Sequence, residues 1–114
     1  IGKQQEALDA YDKAIQIKPD FVIAFNNKGL VQDAMGNHLE AIETYNKALT
    51  IKPDLDIAWF NKACAEALLS NKEGALSSLK KAIELNQSFK RIARTNPDFL
   101  KIKDDPDFIN VVGN

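Results

Sequence analysis

The sequence predicts an all-α fold, a solenoid of antiparallel helix pairs, and three observations carry that prediction. The first is self-similarity at a fixed offset. Glu6-Ala7-Leu8 through Ile17-Lys18-Pro19-Asp20 recurs as Glu40-Ala41-Ile42 through Ile51-Lys52-Pro53-Asp54. Pro19 and Pro53, Ala7 and Ala41, Tyr11 and Tyr45, and Ala14 and Ala48 all keep one register. A weaker third copy follows at Ala75, Leu79, Ala82 and Leu85, with Gln87 where the proline would stand. The second observation is the spacing of apolar residues by three and four within each copy, the period of one helix face. The third is punctuation: Gly36-Asn37 and Ser70-Asn71 break each copy in the middle, and Pro19 and Pro53 end it. A period of about 34 residues marks stacked two-helix units, each too small to bury its apolar face alone.

The elements follow in order. Residues 1–19 hold one helix, Lys3 to Ile17, which reads as the second of a pair whose first member is missing. The chain opens on Ile1, so it is expected to be a processed or truncated piece of a longer array. Leu8, Tyr11 and Ile15 should then lose part of their cover, leaving either a truncation surface or a dimer face. Residues 20–53 form a full repeat with helices over Phe21 to Met35 and His38 to Ile51. Asn37 and Glu40 have the spacing of an N-terminal capping box. Residues 54–87 repeat this with helices over Leu55 to Leu69 and Lys72 to Leu85. Ala7, Ala41 and Ala75 are close-packing positions, and Phe25 and Trp59, with Tyr11 and Tyr45 on the facing helices, fill the room they leave. Residues 88–114 are capping helices. One runs over about Ser88 to Arg94, and Asn96-Pro97-Asp98 and Asp105-Pro106-Asp107 each start another. Phe99, Leu100, Ile102, Phe108, Ile109 and Val112 give this tail the apolar surface to fold back over the last repeat.

Composition excludes several function classes. The 114 residues carry 15 Lys+Arg against 16 Asp+Glu, a net charge of -1 that leaves no broad basic face for nucleic acid or anionic lipid. No apolar run is long enough to span a bilayer. Cys64 is the single cysteine and demands no oxidising compartment, so a cytoplasmic setting is expected. His38 is the single histidine, which rules out a two-histidine metal site. The glycines approach no nucleotide-binding spacing, and Asp98, Asp104, Asp105 and Asp107 lack the spacing and glycine of a calcium loop. Cys64 has no base near it in sequence and reads as a small packed residue. No catalytic residue, metal or cofactor is expected.

The pattern resembles the tetratricopeptide repeat family, whose signature is W-x2-L-G-x2-Y, then A-x3-F, then P. The first block reads Phe25, Lys28, Gly29, Gln32 and then Trp59, Lys62, Ala63, Glu66; the second reads Ala41 to Tyr45 with Pro53, and Ala75 to Leu79 without proline. Lys28 and Lys62 replace the leucine, and Gln32 and Glu66 the later tyrosine. Asn-Lys-Gly at this place is similar to bacterial members of the family, cyanobacterial arrays among them. The pentatricopeptide repeat, an RNA-reading relative, fits less well because its period is longer. The resemblance implies a right-handed superhelix and a non-catalytic protein–protein interaction module, in which a concave groove lined by the first helix of each pair holds a peptide or helix of a partner protein. A self-association module, with a homo-oligomer contact through the exposed N-terminal helix, and an accessory array of a larger protein with a catalytic domain elsewhere are the alternatives.

Carried over by position, the groove residues are Ile23, Asn26, Asn27, Leu30 and Asp33 in one repeat and Ile57, Phe60, Asn61, Cys64, Ala67 and Leu68 in the next. Asn27 and Asn61 each offer a donor and an acceptor for a peptide backbone, or else bridge neighbouring helices. Arg91 and Arg94 continue the register of Ile57 and Phe60, placed to hold a carboxylate or to pair with Asp98, Asp104 or Asp105.

Overall fold

The computed structural model describes residues 2–113, so Ile1 and Asn114, which the sequence assigns to the first helix segment and the cap, lie outside the described residues. Every regular element among the described residues is helical: α1 (Gly2–Ile17), α2 (Val22–Ala34), α3 (His38–Ile51), α4 (Asp56–Leu68), α5 (Lys72–Leu85), α6 (Phe89–Thr95), a 3-10 helix (Pro97–Ile102) and α7 (Pro106–Val112). The expected all-α fold of helix pairs holds, and α3 and α5 begin and end where the sequence places them. The helices group into two compact units, one up to Leu55 and one from Asp56 onward.

In the first unit α2 and α3 form the helix pair and α1 packs on α2. Its buried apolar residues are Ala24, Ala41, Tyr45, Ala48, Leu49 and Leu55. The pairing depends on one size match: a Cβ added to Gly29 would overlap the Tyr45 ring, so the ring lies directly on the α2 backbone. The Tyr45 hydroxyl donates to Asp33 Oδ2 at 2.7 Å, which ties the far end of the same ring to the next turn of α2. One step deeper, Thr44 Oγ1 donates to Gln32 Oε1 at 2.6 Å, so the buried amide has a partner. No described residue of α1 is buried, and Ala7, Leu8, Tyr11, Ala14 and Ile15 are all only half-covered.

In the second unit α4 and α5 repeat the pair with a different match. Ala63 occupies the Gly29 position and Leu79 the Tyr45 position, so a larger small residue meets a smaller large one. The polar pair recurs in kind: Ser78 Oγ donates to Glu66 Oε1 at 2.6 Å, one repeat on from Thr44 and Gln32. The tail then closes over α4. Phe60 stacks on Phe89 at 4.6 Å between ring centroids and meets Phe99 edge-on at 6.0 Å; Phe99 in turn packs on Phe108 at 5.5 Å. Phe89, Phe99, Phe108 and Val112 are thus part of the same core as Ala63, Leu79 and Ile83.

The turns repeat as well. α2 ends with Asn37 N–H donating to Gln32 O at 2.9 Å and Gly36 N–H to Asp33 O at 2.9 Å, and α4 ends with Asn71 N–H to Glu66 O and Ser70 N–H to Ala67 O. This is a Schellman closure, which requires a left-handed residue just past the helix. Gly36 adopts it at φ 84°, and Ser70 adopts it at φ 62°. Between repeats, Phe21 N–H donates to Lys18 O, Leu55 N–H to Lys52 O and Phe89 N–H to Asn86 O. The third turn therefore forms without proline, supported by the Asn86 side chain, which accepts from Ser88 N–H and donates to Asp56. The capping box expected at Asn37 does not form; its side chain caps nothing, whereas Asn71 accepts from Gly74 N–H.

Two stability outcomes follow. Gly29→Ala should cost about 1–3 kcal/mol by forcing the Tyr45 ring outward, and adding Tyr45→Leu, the Ala63–Leu79 combination, should recover part of it in urea unfolding. Ser70→Gly should stabilise by about 1 kcal/mol by relieving the left-handed serine, read as a higher urea midpoint at unchanged slope.

Candidate functional site

Of the residues that the sequence assigns to a binding face, the structure leaves only some at the surface. In the first unit Ile23, Asn27 and Leu30 stand at successive turns of one face of α2; Ile23 is 48% exposed and Leu30 43%, with Asn27 half-covered between them. Asn26 is buried and engaged in contacts of its own, which corrects its placement on the open face. Asp33 faces α3 instead of a ligand, since Tyr45 donates to one of its oxygens and His38 Nδ1 lies 2.8 Å from the other.

In the second unit the corresponding face of α4 is covered. Ile57 remains 36% exposed, but Phe60, Cys64 and Ala67 are core residues in one cluster with Phe89 and Phe99, and Asn61 is buried. These four correct the reading of α4 as an open binding helix, because the tail supplies the apolar surface that occupies it. Leu68 is half-buried at the end of α4. Arg94 is also committed: its guanidinium donates to Val112 O at 3.0 and 2.8 Å and reaches Gly113 O at 3.3 Å. It satisfies the last carbonyls of α7 and complements the negative end of that helix. Arg91 stays exposed.

The two lysines that replace the signature leucine have local partners. Lys28 pairs with Asp12 of α1 at 2.7 Å, and Lys62 lies 5.2 Å from the Trp59 ring centroid. Both tail starts form as expected: Asn96 accepts from Asp98 N–H and Asp105 from Asp107 N–H, each with proline in the first turn. The sequence reading missed the buried pairs Gln32–Thr44 and Glu66–Ser78. Their signal was present, two polar residues 12 apart that recur together at the repeat offset. A cavity of about 610 Å³ in the second unit, lined by Trp59, Leu76 and Val111 and by Lys80, Lys81 and Glu84, was also not foreseen. Among the described residues no three His, Cys, Asp or Glu side chains gather as metal ligands, and no helix is long and apolar enough to cross a membrane.

Charge ties the tail to α5. Lys72 Nζ lies 2.8 Å from Asp105 and 3.1 Å from Asp107. The hydrogen bond from Lys72 holds the Asp105 carboxyl below its ordinary value near 3.8, and the two aspartates raise Lys72 above 10.5.

Three stretches of the chain match repeat-family models: residues 1–36 match "TPR repeat", and residues 22–55 and 57–89 each match "Tetratricopeptide repeat". The chain belongs to the tetratricopeptide repeat family. Tetratricopeptide repeats are in general protein–protein interaction modules that bind partner proteins or peptides and carry no catalysis of their own. Among solved structures, the crystal structure of MamA is similar, with a TM-score of 0.72 and 32% identity over 78% of this chain and 52% of that one. This tetratricopeptide chain thus spans about half the length of MamA. No curated protein sequence matches it.

The Lys72 contact makes a pH-dependent outcome explicit. Asp105 has its pKa lowered by folding, so its contribution is present above the ordinary carboxylate value and is lost as pH falls through the lowered one. The raised Lys72 contributes fully below 10.5 and loses its part as pH rises through the raised value. Lys72→Gln should return the Asp105 carboxyl toward its ordinary value, seen by NMR titration of its side-chain carbon, with α-helical circular dichroism at neutral pH unchanged.

Proposed function

We propose that this chain is a non-catalytic interaction module that holds a peptide or helical segment of a partner protein, with the exposed face of α2 making the contact. The observation that carries this reading is the strip Ile23, Asn27, Leu30: two substantially exposed apolar side chains flanking an amide, on the first helix of a repeat. Apolar anchors of this kind release water when a partner covers them, and the Asn27 amide can both donate to and accept from a peptide backbone without reading its sequence. Each such hydrogen bond contributes about 1 kcal/mol net, so Asn27 orients a ligand that Ile23 and Leu30 hold. In the second unit Ile57, Arg91 and Arg94 are exposed members of the assigned face, and Arg91 suits a carboxylate on the ligand. The near-balanced charge supports a protein partner over nucleic acid or a membrane surface, and no cofactor is needed.

The test is affinity capture from cells that express the chain, comparing wild type with an Ile23→Asp, Asn27→Ala variant of unchanged circular dichroism and melting temperature. Proteins recovered by wild type and lost from the variant are the expected outcome. Equal recovery by both would remove the α2 face from the function.

A further inference from the structure

The tail keeps the register of the repeats, and the helix pair it carries is broken at one position. Carried forward by one repeat, α4 (Asp56–Leu68) falls on residues 90–102, where α6 and the 3-10 helix lie, and the start of α5 falls on the start of α7. Asn37, Asn71 and Asp105 share one register position and cap the starts of α3, α5 and α7. Leu55 and Phe89 share another; both are buried, and each N–H donates to the carbonyl three residues back.

The break falls where the close approach of paired helices is decided. Gly29 in the first pair and Ala63 in the second give way to Pro97, and the facing Tyr45 and Leu79 give way to Gly113. A proline has no N–H to donate to Ala93 O and pushes the residue before it out of helical geometry. Accordingly Asn96 is extended, at φ -75° and ψ 123°, and its own N–H takes Ala93 O at 3.3 Å. Its side chain accepts from Asp98 N–H at 2.8 Å and starts the 3-10 helix. The polar pair is lost as well. Leu100 and Val112 stand where Gln32 and Thr44, then Glu66 and Ser78, stand earlier, and Leu100 turns to solvent at 62% exposed while Val112 is buried.

Past the break the 3-10 helix lies on α4, and Phe99, 1% exposed, meets Phe60 edge-on. This segment and Phe89 are the cover over Cys64 and Ala67. In the first repeat, which is followed by an unbroken first helix, the Cys64 position is Leu30 and stays 43% exposed; Cys64 is 7% exposed.

We propose that residues 88–112 are a further helix pair of the repeat and that Pro97 selects the binding face. By breaking the first helix of that pair, Pro97 folds Phe99 over α4 and leaves the face of α2 as the open one. The selection rests on the reading of first-helix faces as binding faces; the break does not.

Cys64, the single cysteine, reports the cover on α4. The test compares wild type with an Asn96→Ala, Pro97→Ala variant of the whole chain, by the rate at which Cys64 reacts with an aromatic disulfide reagent and by backbone NMR shifts. Residues 97–102 of the variant are expected to take α-helical shifts continuous with α6, and Cys64 to react about ten-fold faster. Slow amide exchange of Leu79 and Ala82 in α5 is expected to persist, which separates an opened face from a lost fold. Where that protection is lost, Pro97→Ala alone, which keeps the Asn96 cap, is the deciding variant and is held to the same two readouts. Unchanged Cys64 reactivity, or residues 97–102 that stay outside α-helical shifts, overturns the proposal. Binding is read separately, by capture with the opened chain carrying Ile23→Asp and Asn27→Ala as well. Return of the proteins that wild type recovers supports the selection. No return while Cys64 is open overturns the selection through the reading on which it rests, and leaves the broken helix pair standing.

Discussion

The close approach of paired helices is the constraint on which the rest of this structure depends. A helix pair as short as α2 and α3 has little surface to bury, so its stability rests on backbones that come near enough for side chains to interdigitate. That approach is set where a large residue of the second helix lies on a small one of the first. Gly29 under Tyr45 and Ala63 with Leu79 are two solutions to one volume, and neither half can change alone. The buried alanines on both sides, Ala41 and Ala75 on the second helices and Ala24 and Ala58 on the first, keep the backbones close along the contact.

Around that contact the polar groups repeat with the apolar ones. Burying Gln32 or Glu66 is costly unless each is hydrogen-bonded, and the hydroxyls of Thr44 and Ser78 supply that bond in their own repeats. The left-handed turn after the first helix repeats too, although only Gly36 suits it without strain and Ser70 tolerates it. These pairs and turns show a unit copied as a whole, with substitutions on one helix compensated on its neighbour.

The two repeats then differ in what lies on their first helices. On α4 the aromatic series Phe60, Phe89, Phe99 and Phe108 draws the tail into the core, and of the face equivalent to the exposed strip of α2, Asn61 and Cys64 become interior while Ile57 stays at the surface. A tail rich in phenylalanine is thus an internal occupant for a surface that its repeat twin leaves to solvent.

Much of this was legible in the sequence, because a repeat and the apolar spacing within it are local facts. They were enough to place α3 and α5 to the residue, the Asx-Pro starts of the 3-10 helix and α7, and the incomplete cover of α1. The failures share a cause: periodicity assigns a residue to a face but does not say what arrives on that face from elsewhere in the chain. Phe60, Cys64 and Ala67 share the register of Asn26, Leu30 and Asp33. Leu30 nevertheless stays 43% exposed where Cys64 is 7% exposed, because the rings of Phe89 and Phe99 join the core of the second unit. The partners of Arg94 went unforeseen for a similar reason, since they are the carbonyls of Val112 and Gly113, and backbone carbonyls leave no mark in a sequence. The amino-acid sequence by itself determined the repeat, the helices and the small-to-large matches, all of which follow from local spacing. Only the tertiary structure decided which helix faces stay open, because cover depends on where a distant segment of the chain comes to rest.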